Sequence, residues 1–262
     1  MVRYLRLYLH LLRFSFSRAM EFRVDFFFRV VMDALWYAVH LVFFYVLFRF
    51  TRELGGWSWD QMLVFAASIF VMDAVQMTLF SNNMWWFPIL VNRGDLDYYL
   101  VRPVSPLFFV SLRDFAANSF LNLLLATGIF AWSLARYPDP LGAGRIALFV
   151  VLLLAGTYLF YLFSMMFLIP VFWLQSRAGI REVFWSLERF ALRPHRIYTG
   201  WLRHVLVSLL PFALFCSYPV LVLFEGPTLL GLLHVAAVVL AFTAIMLWMW
   251  RKGLKAYCSA SS

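Results

Sequence analysis

Long runs of apolar residues separated by short polar connections dominate the chain. Six of these runs hold about 20 mostly apolar residues each, enough for a helix rising 1.5 Å per residue to cross a hydrocarbon core of about 30 Å. They are predicted at 24–48, 59–80, 107–135, 146–173, 201–218 and 228–250. The pattern predicts an all-α membrane protein with six transmembrane helices, forming a single transmembrane domain over residues 1–262.

The first 20 residues follow a different pattern, with one narrow polar stripe. The polar residues recur at helical spacings of three and four: Arg3, Arg6, His10, Arg13 and Ser17. Such an amphipathic helix lies at the membrane interface with its arginines among the lipid phosphates. We predict an interfacial helix at 1–20; the alternative is the start of the first span. The segment lacks a small-residue cleavage site, and we expect it to be retained.

Prolines interrupt the segment before the last span. Pro211 and Pro219 lie eight residues apart, and Glu225-Gly226-Pro227 closes the stretch. Because proline removes a helical hydrogen bond, the pattern predicts a broken or re-entrant segment at 211–227, between the fifth and sixth spans.

A second amphipathic segment lies between the fourth and fifth spans. Its apolar residues recur at helical spacing: Ile180, Val183, Phe184, Leu187, Phe190 and Ala191. Its charged residues face away from them: Arg181, Glu182, Glu188 and Arg189. This pattern predicts a helix resting on the inner leaflet, with contact to a cytoplasmic partner protein as the alternative.

The composition supports lipid as the solvent. Hydrophobic residues make up 64% of the chain and charged residues 13%, whereas soluble domains are about half apolar and about a quarter charged. The formal charge is +9. An excess of Lys and Arg is typical of cytoplasmic loops, so the basic composition does not require nucleic-acid binding, which we do not expect.

The distribution of basic residues predicts the orientation. With the N-terminus inside, seventeen Lys and Arg residues fall in inner segments and four in outer ones. The inner set includes Arg196 and Arg203, in and just after the connection to the predicted fifth span. Since cytoplasmic loops carry the excess of positive charge, both termini are predicted to be cytoplasmic.

Motifs of enzymatic chemistry are missing from the sequence. There is no glycine-rich phosphate loop ending in Lys-Ser or Lys-Thr, no Gly-x-Ser-x-Gly and no His-Glu-x-x-His. The five histidines lack metal-ligand spacing, and we expect no disulfide between Cys216 and Cys258. The chain is therefore predicted not to be an enzyme by itself and to bind neither ATP nor a metal.

Several polar residues interrupt the apolar spans. Successive i,i+4 neighbours share one stripe of the first span: Glu21, Asp25, Arg29 and Asp33. An unpaired charge in the membrane costs several kcal/mol, so we predict that Arg29 pairs with Asp33, Asp73 or both and that the stripe faces protein. Asn118 and Asn122 could line the same interior. Helix packing and a substrate or gating role both remain open for these residues.

The connection after the second span predicts a short cytoplasmic helix. Gly94 permits a tight turn, Asp95 can cap the helix, and Pro103 ends it. The helix carries apolar and aromatic residues: Leu96, Tyr98, Tyr99 and Leu100. Exposed aromatic residues on a short helix favour a groove on a partner protein. A helix lying on the lipid surface is the alternative.

The run Gly-Asp-Leu-Asp-Tyr-Tyr-Leu-Val-Arg-Pro-Val-Ser-Pro-Leu-Phe, from Gly94 to Phe108, resembles a motif of ABC-2 type transporter permeases. Pro194–Arg203 and Lys252–Ser261 are similar to two further stretches of that family, so the resemblance covers nearly the whole chain. One departure is Thr199-Gly200 after Tyr198, where the family pattern would have a proline.

The resemblance implies an exporter driven by ATP. The loop after the second span would carry a coupling helix that docks in a cleft of a separate ATPase subunit, with these coupling residues: Asp95, Leu96, Asp97, Tyr98, Tyr99 and Leu100. The chain would hold no cofactor, since ATP and Mg²⁺ would bind the partner. A second permease chain, identical or paralogous, and a bacterial cytoplasmic membrane are also implied, as are an interfacial first helix and a re-entrant segment before the last span.

Two other functions remain open from the residues alone. An ion-coupled secondary transporter or channel could use Asp33 and Asp73 as ion sites and would need no ATPase. An integral membrane enzyme acting on lipids would need a catalytic cluster at one interface, which the sequence does not show.

Overall fold

The computed structural model describes residues 2–19, 23–174 and 180–257. Within these ranges the side chains at a few positions are not described: 2, 3, 5, 16, 18, 19, 23–26, 118, 180 and 181. The described residues form helices and connections, without β-strands. The predicted all-α class is therefore confirmed.

The described residues of the first half of the chain form seven α-helices and one π-helical turn. They are α1 (Val2–Ala19), α2 (Arg23–Phe50), α3 (Trp59–Gln76), the π-turn (Met77–Ser81), α4 (Asn82–Arg93), α5 (Asp97–Leu100), α6 (Pro106–Leu112) and α7 (Ala117–Arg136). Ser58 and Gln61 form a capping box at the start of α3, with each side chain accepting a hydrogen bond from the other residue's backbone N–H. Gly94, with a φ of 79°, ends α4 in the left-handed conformation that glycine adopts readily.

In the second half, the described residues form two long helices and several short ones. They are α8 (Ala143–Leu168), α9 (Val171–Leu174), α10 (Ile180–Glu188), a 3₁₀ turn (His195–Ile197), α11 (Gly200–His204), a second π-helical turn (Val205–Leu209), α12 (Phe212–Phe215), α13 (Ser217–Glu225) and α14 (Leu229–Ala256).

Five helical stretches among the described residues are long and apolar enough to cross a membrane, rather than the six predicted. They are Phe27–Phe50, Trp59–Arg93, Ser119–Arg136, Ala143–Leu174 and Leu229–Ala256. The predicted fifth span, 201–218, is not a continuous helix, because the chain passes through α11, the second π-turn and α12 before α13 begins. Within 211–227 the chain forms α12 and α13, with Pro211 just before α12 and Pro219 in the first turn of α13. The re-entrant position of this segment in the membrane stays a prediction.

α3 lies at the centre of the bundle. Its residues from Met62 to Phe70 are all buried, as expected for a helix that is apolar on every side. It packs against α2, α7 and α8. The predicted third span, 107–135, is divided into α6 and α7 by a break at 113–116, where the N–H of Ala116 donates to the carbonyl of Thr78 in the first π-turn.

The broken segment packs directly on α8. A Cβ atom placed on Gly156 would lie 2.2 Å from the carbonyl oxygen of Phe215 and 2.7 Å from that of Leu214. Only glycine lets the two backbones come this close. The lack of a side chain at position 156 therefore positions α12 against the middle of α8.

α10 forms a helix where the sequence predicts one, and it packs on α8. Phe184 packs its ring against Phe160, Phe163 and Phe167 of α8, with ring centroids 5.7–6.0 Å apart. Phe160 lies eight residues before the end of α8. The segment therefore forms a helix as predicted and packs on α8 through Phe184, while Val183 of the same apolar face is 52% exposed. Its position on the inner leaflet stays a prediction.

Arg196 lies at the opposite end of the bundle from the one predicted. Its Cβ is 3.4 Å from the position a Cβ would take on Gly55, in the loop between the first two spans. Its guanidinium forms an ion pair with Glu225 at 2.6 Å, and Arg203 borders the same cavity as His195. We call this the Gly55 end. With Arg196 and Arg203 counted at the Gly55 end, the excess of basic residues in the predicted inner segments becomes smaller, but those segments still carry more of them than the outer ones.

This placement predicts an all-or-none labelling pattern. In a Cys258→Ser background, where Cys216 is buried, Arg52→Cys and Arg196→Cys should react with a membrane-impermeant maleimide from the same side of sealed vesicles. Asp95→Cys, in the connection between α4 and α5, should react only from the other side. Labelling of Arg196→Cys together with Asp95→Cys would instead place Arg196 on the inner side, as its basic neighbours in the sequence predict.

Candidate coupling surface and polar cluster

The coupling loop, residues 94–105, joins α4 to α6. The N–H of Gly94 donates to the carbonyl of Val91, and the N–H of Leu96 donates to that of Leu90. These bonds fold the chain back onto the last turn of α4. α5 then forms a single helical turn before the chain enters α6.

The predicted coupling residues divide into two sets. Leu96 is fully buried and Tyr99 is buried, and the Tyr99 hydroxyl is hydrogen-bonded to the Arg113 guanidinium at the end of α6. Tyr98 is 61% exposed, and Asp95 and Leu100 are also exposed. Leu96 and Tyr99 therefore hold the loop on the bundle, and the second set faces outward.

Sequence reasoning missed one residue of the outward face. Val101 is 82% exposed and follows Tyr98 by three positions, so the two share one side of the turn. Arg102 places its guanidinium carbon 4.0 Å from the centre of the Tyr98 ring. This cation–π contact restricts the exposed ring before any partner arrives. The i,i+3 spacing of Tyr98 and Val101 was the available signal.

Asp97, the remaining coupling residue, is half-buried and faces the chain after α14. Burial, and then the nearby Asp97 carboxylate, raise the pKa of Tyr257 above its ordinary value. The coupling loop therefore meets the final helix as well as α4 and α6.

The first helix also contacts the coupling loop. The hydroxyl of Tyr4 accepts a hydrogen bond from the N–H of Ser105 at 3.2 Å, and its ring packs edge-on against Phe108. Further along, Ser15 is buried and donates to the Asp114 carboxylate. α1 is thus attached at both ends of α6. Its position in the membrane interface stays a prediction.

A polar cluster lies where α2, α3 and α7 meet. The side-chain amide of Asn122 donates to the Asp33 carboxylate at 3.0 Å, and Asn122 is fully buried. Arg29 and Asp73 both interact electrostatically with Asp33. The structure therefore brings together Arg29, Asp33, Asp73 and Asn122. The side chain of Asn118 lies outside the described residues.

Sequence reasoning missed two members of this cluster. Tyr37 follows Asp33 by four residues on the same stripe, and its hydroxyl donates to the carbonyl of Phe70 at 3.4 Å. Glu188 of α10 lies close enough to Asp73 for electrostatic repulsion. Helical spacing could have found Tyr37. Glu188 was assigned to the solvent face because α10 was predicted to lie on the surface.

Two cavities accompany these sites. The first, of about 400 Å³, lies between α3, α4, α8 and α10 and is bordered by Asp73, Gln76 and Glu188. The second, of about 350 Å³, is lined by His195, Arg203 and other residues near the Gly55 end. Within the described part of the chain, no three His, Cys, Asp or Glu side chains are grouped to hold a metal ion.

The comparisons with known proteins agree with the resemblance in the coupling loop. A family model described as ABC-2 family transporter protein matches residues 34–261, which include the coupling loop, both cavities, and Asp73 and Asn122 of the polar cluster. No curated protein and no solved structure matched the chain. With most of its length matched and five helices able to span a membrane, the chain is a multi-pass transmembrane permease and belongs to the ABC-2 family of transporter proteins.

Proposed function

We propose that the chain is the permease subunit of an ABC exporter, in which a separate nucleotide-binding subunit hydrolyses ATP. The observation that carries the proposal is the outward face of the coupling loop: Asp95, Tyr98, Leu100 and Val101. Family membership gives the transporter class. A rigid, exposed, partly aromatic turn is the kind of surface that fills a pocket on a partner protein.

The contacts of the loop explain how it could transmit force. Leu96 and Tyr99 fix it to α4 and α6, so a push on Tyr98 moves these helices together. Tyr4 and Tyr257 extend the same body to α1 and to the end of α14. Closure of the ATPase would thus be converted into a rigid-body shift of the spans.

The complete transporter would contain further chains. A second permease, either identical or paralogous, would complete the translocation path, and ATP and Mg²⁺ would bind only the ATPase subunits. We place the complex in the bacterial cytoplasmic membrane with the coupling loop and both termini in the cytoplasm. The single transmembrane domain would then act mechanically, without catalysis of its own.

The alternative is an ion-coupled transporter or channel that uses Asp33 and Asp73. Family membership does not favour it. The structure also gives Asp33 a packing role, since it accepts the hydrogen bond of the buried Asn122 and joins α2 to α7.

The double substitution Tyr98→Ala, Leu100→Ala tests the proposal. The chain would be co-purified with an ABC ATPase encoded beside it, and ATP hydrolysis measured in nanodiscs. Because central aromatic contacts at interfaces contribute about 2 kcal/mol or more each, we expect association to weaken at least about tenfold and the permease-dependent hydrolysis to be lost. Both side chains are exposed, so the melting temperature should not change.

A matched control removes the same chemical groups from the Gly55 end. Phe50 is 88% exposed and Leu230 is 80% exposed, and Phe50→Ala, Leu230→Ala should leave hydrolysis unchanged. Equal hydrolysis in both double variants, or failure of any ATPase to associate with the chain, would refute the proposed coupling.

A further inference from the structure

The larger cavity lies in the half of the bundle that carries the coupling loop. Its wall includes Met84 and Pro88 of α4, which leads to Gly94, and Leu168 at the end of α8. At about 400 Å³ it falls within the range of small-molecule sites, about 300–1,000 Å³. An exporter takes up its substrate from this half.

Three polar side chains place acceptor oxygens at the cavity. Asp73 and Glu188 both border it and interact electrostatically with each other. Gln76 is 2% exposed; its amide N–H donates to the carbonyl of Thr157 at 2.7 Å, which leaves its Oε1 buried without a partner. The described lining contains no Lys, Arg or His. The cavity thus presents one buried acceptor without a partner, Oε1 of Gln76, beside two partly buried carboxyl groups.

The rest of the wall is apolar and aromatic. Trp85 and Trp185 lie with ring centroids 6.3 Å apart and are 55% and 41% exposed, so they border the cavity where it opens. Phe160 and Phe184 line the inner part. Indole and phenyl rings attract cations through their faces and also accept an alkyl chain or an aromatic ring.

We propose that this cavity binds an amphiphilic organic ammonium ion that carries N–H groups. The ammonium would lie between Asp73 and Glu188 and donate to Oε1 of Gln76, and its apolar part would contact the aromatic wall. Two carboxyl groups in a mostly apolar cavity are costly without a cation, and the ligand supplies the missing charge and donors together. The inference names the substrate class and rests on the proposed export function.

Binding to the chain alone tests this inference. The purified chain in phosphatidylcholine nanodiscs would be titrated with radiolabelled dodecylammonium, with empty nanodiscs as the background. We expect saturable binding. Dodecanol, which has the same chain length and no charge, should not compete. Dodecyltrimethylammonium, which has the charge but no N–H, should compete more weakly than unlabelled dodecylammonium.

Substitutions of the cavity's carboxyl groups test whether the ammonium ion binds in this cavity. Asp73→Asn and Glu188→Gln should each weaken binding about tenfold or more, since each removes a charge-assisted hydrogen bond. Glu53→Gln, in the loop at the other end, removes a carboxylate far from the cavity and should have no effect. Size-exclusion profiles show whether each variant folds, and the competition series needs no variant.

The outcomes separate this inference from the exporter proposal. No saturable binding, equal competition by dodecanol, or unchanged affinity in both carboxyl variants would overturn the ammonium site. Loss of ATPase association would overturn the exporter proposal and would leave the binding result unaffected, since no ATPase is present in the titration.

Discussion

Gly156→Ala is expected to destabilise the folded protein by about 3 kcal/mol, the upper end of the usual cost of overpacking. The added Cβ would lie 2.2 Å from the carbonyl oxygen of Phe215 and 2.7 Å from that of Leu214. Both contacts are with backbone, which cannot rotate away as a side chain can. SDS titration in mixed micelles would measure the change in the free energy of unfolding.

Gly128 provides the matched control for this substitution. It lies inside α7, and no heavy atom comes within 4 Å of the position a Cβ would take there, so alanine meets no obstacle. Because alanine is favoured over glycine in a helix by about 1 kcal/mol, Gly128→Ala should be neutral or slightly stabilising. Similar destabilisation in both variants would show that α12 does not pack closely on α8.

Some of the long apolar runs agree closely with helices of the structure. The last span was predicted at 228–250 and is observed as Leu229–Ala256, and the first was predicted at 24–48 and is observed as Arg23–Phe50. Such helices can be located from the sequence because an unbroken apolar helix in lipid satisfies its own backbone hydrogen bonds. The composition of the run and its length are then sufficient to locate it.

The fifth predicted span failed for a physical reason. The segment at 201–218 is apolar enough for a span, but Pro211 and a π-helical turn break its hydrogen-bond ladder. α10 was predicted to be a surface helix because its apolar residues recur at helical spacing and its charged residues face away from them. Aromatic side chains on α8 pack against Phe184 of that apolar face. Hydropathy cannot distinguish a face buried in protein from one buried in lipid.

The coupling loop was predicted as a unit, but the direction of its side chains was not. Gly94, Asp95 and Pro103 carry the turn signals that located it. Leu96 and Tyr99 are three residues apart and face the bundle, while Tyr98 and Val101 are three residues apart and face outward. Their spacing separates two faces, but only the packing against α4 and α6 shows which face is free.

The second large effect is expected at Asn83, where one side chain fixes the break between α6 and α7. Its Oδ1 accepts from the N–H of Asp114 and its amide donates to the carbonyl of Asp114, both at 2.8 Å. Asn83 is 3% exposed, so Asn83→Leu leaves a buried donor and a buried acceptor without these partners. At about 1–3 kcal/mol per unsatisfied group, we expect destabilisation of about 2–4 kcal/mol.

Asn82→Leu makes the same chemical change one residue away and leaves both bonds to Asp114 in place. Asn82→Leu should lower the free energy of unfolding, measured by SDS titration, far less than Asn83→Leu. The break lies between the coupling loop and α7, so a folded fraction of Asn83→Leu should also show weaker coupling of ATP hydrolysis than Asn82→Leu. Equal stability and equal coupling in the two variants would mean that the break is held by its other contacts, the bond from Ala116 to Thr78 and the contact of Ser15 with Asp114. If Asn83→Leu is the less stable and less coupled variant, the short polar break at 113–116 transmits movement of the coupling loop to α7, rather than the apolar helices around the break.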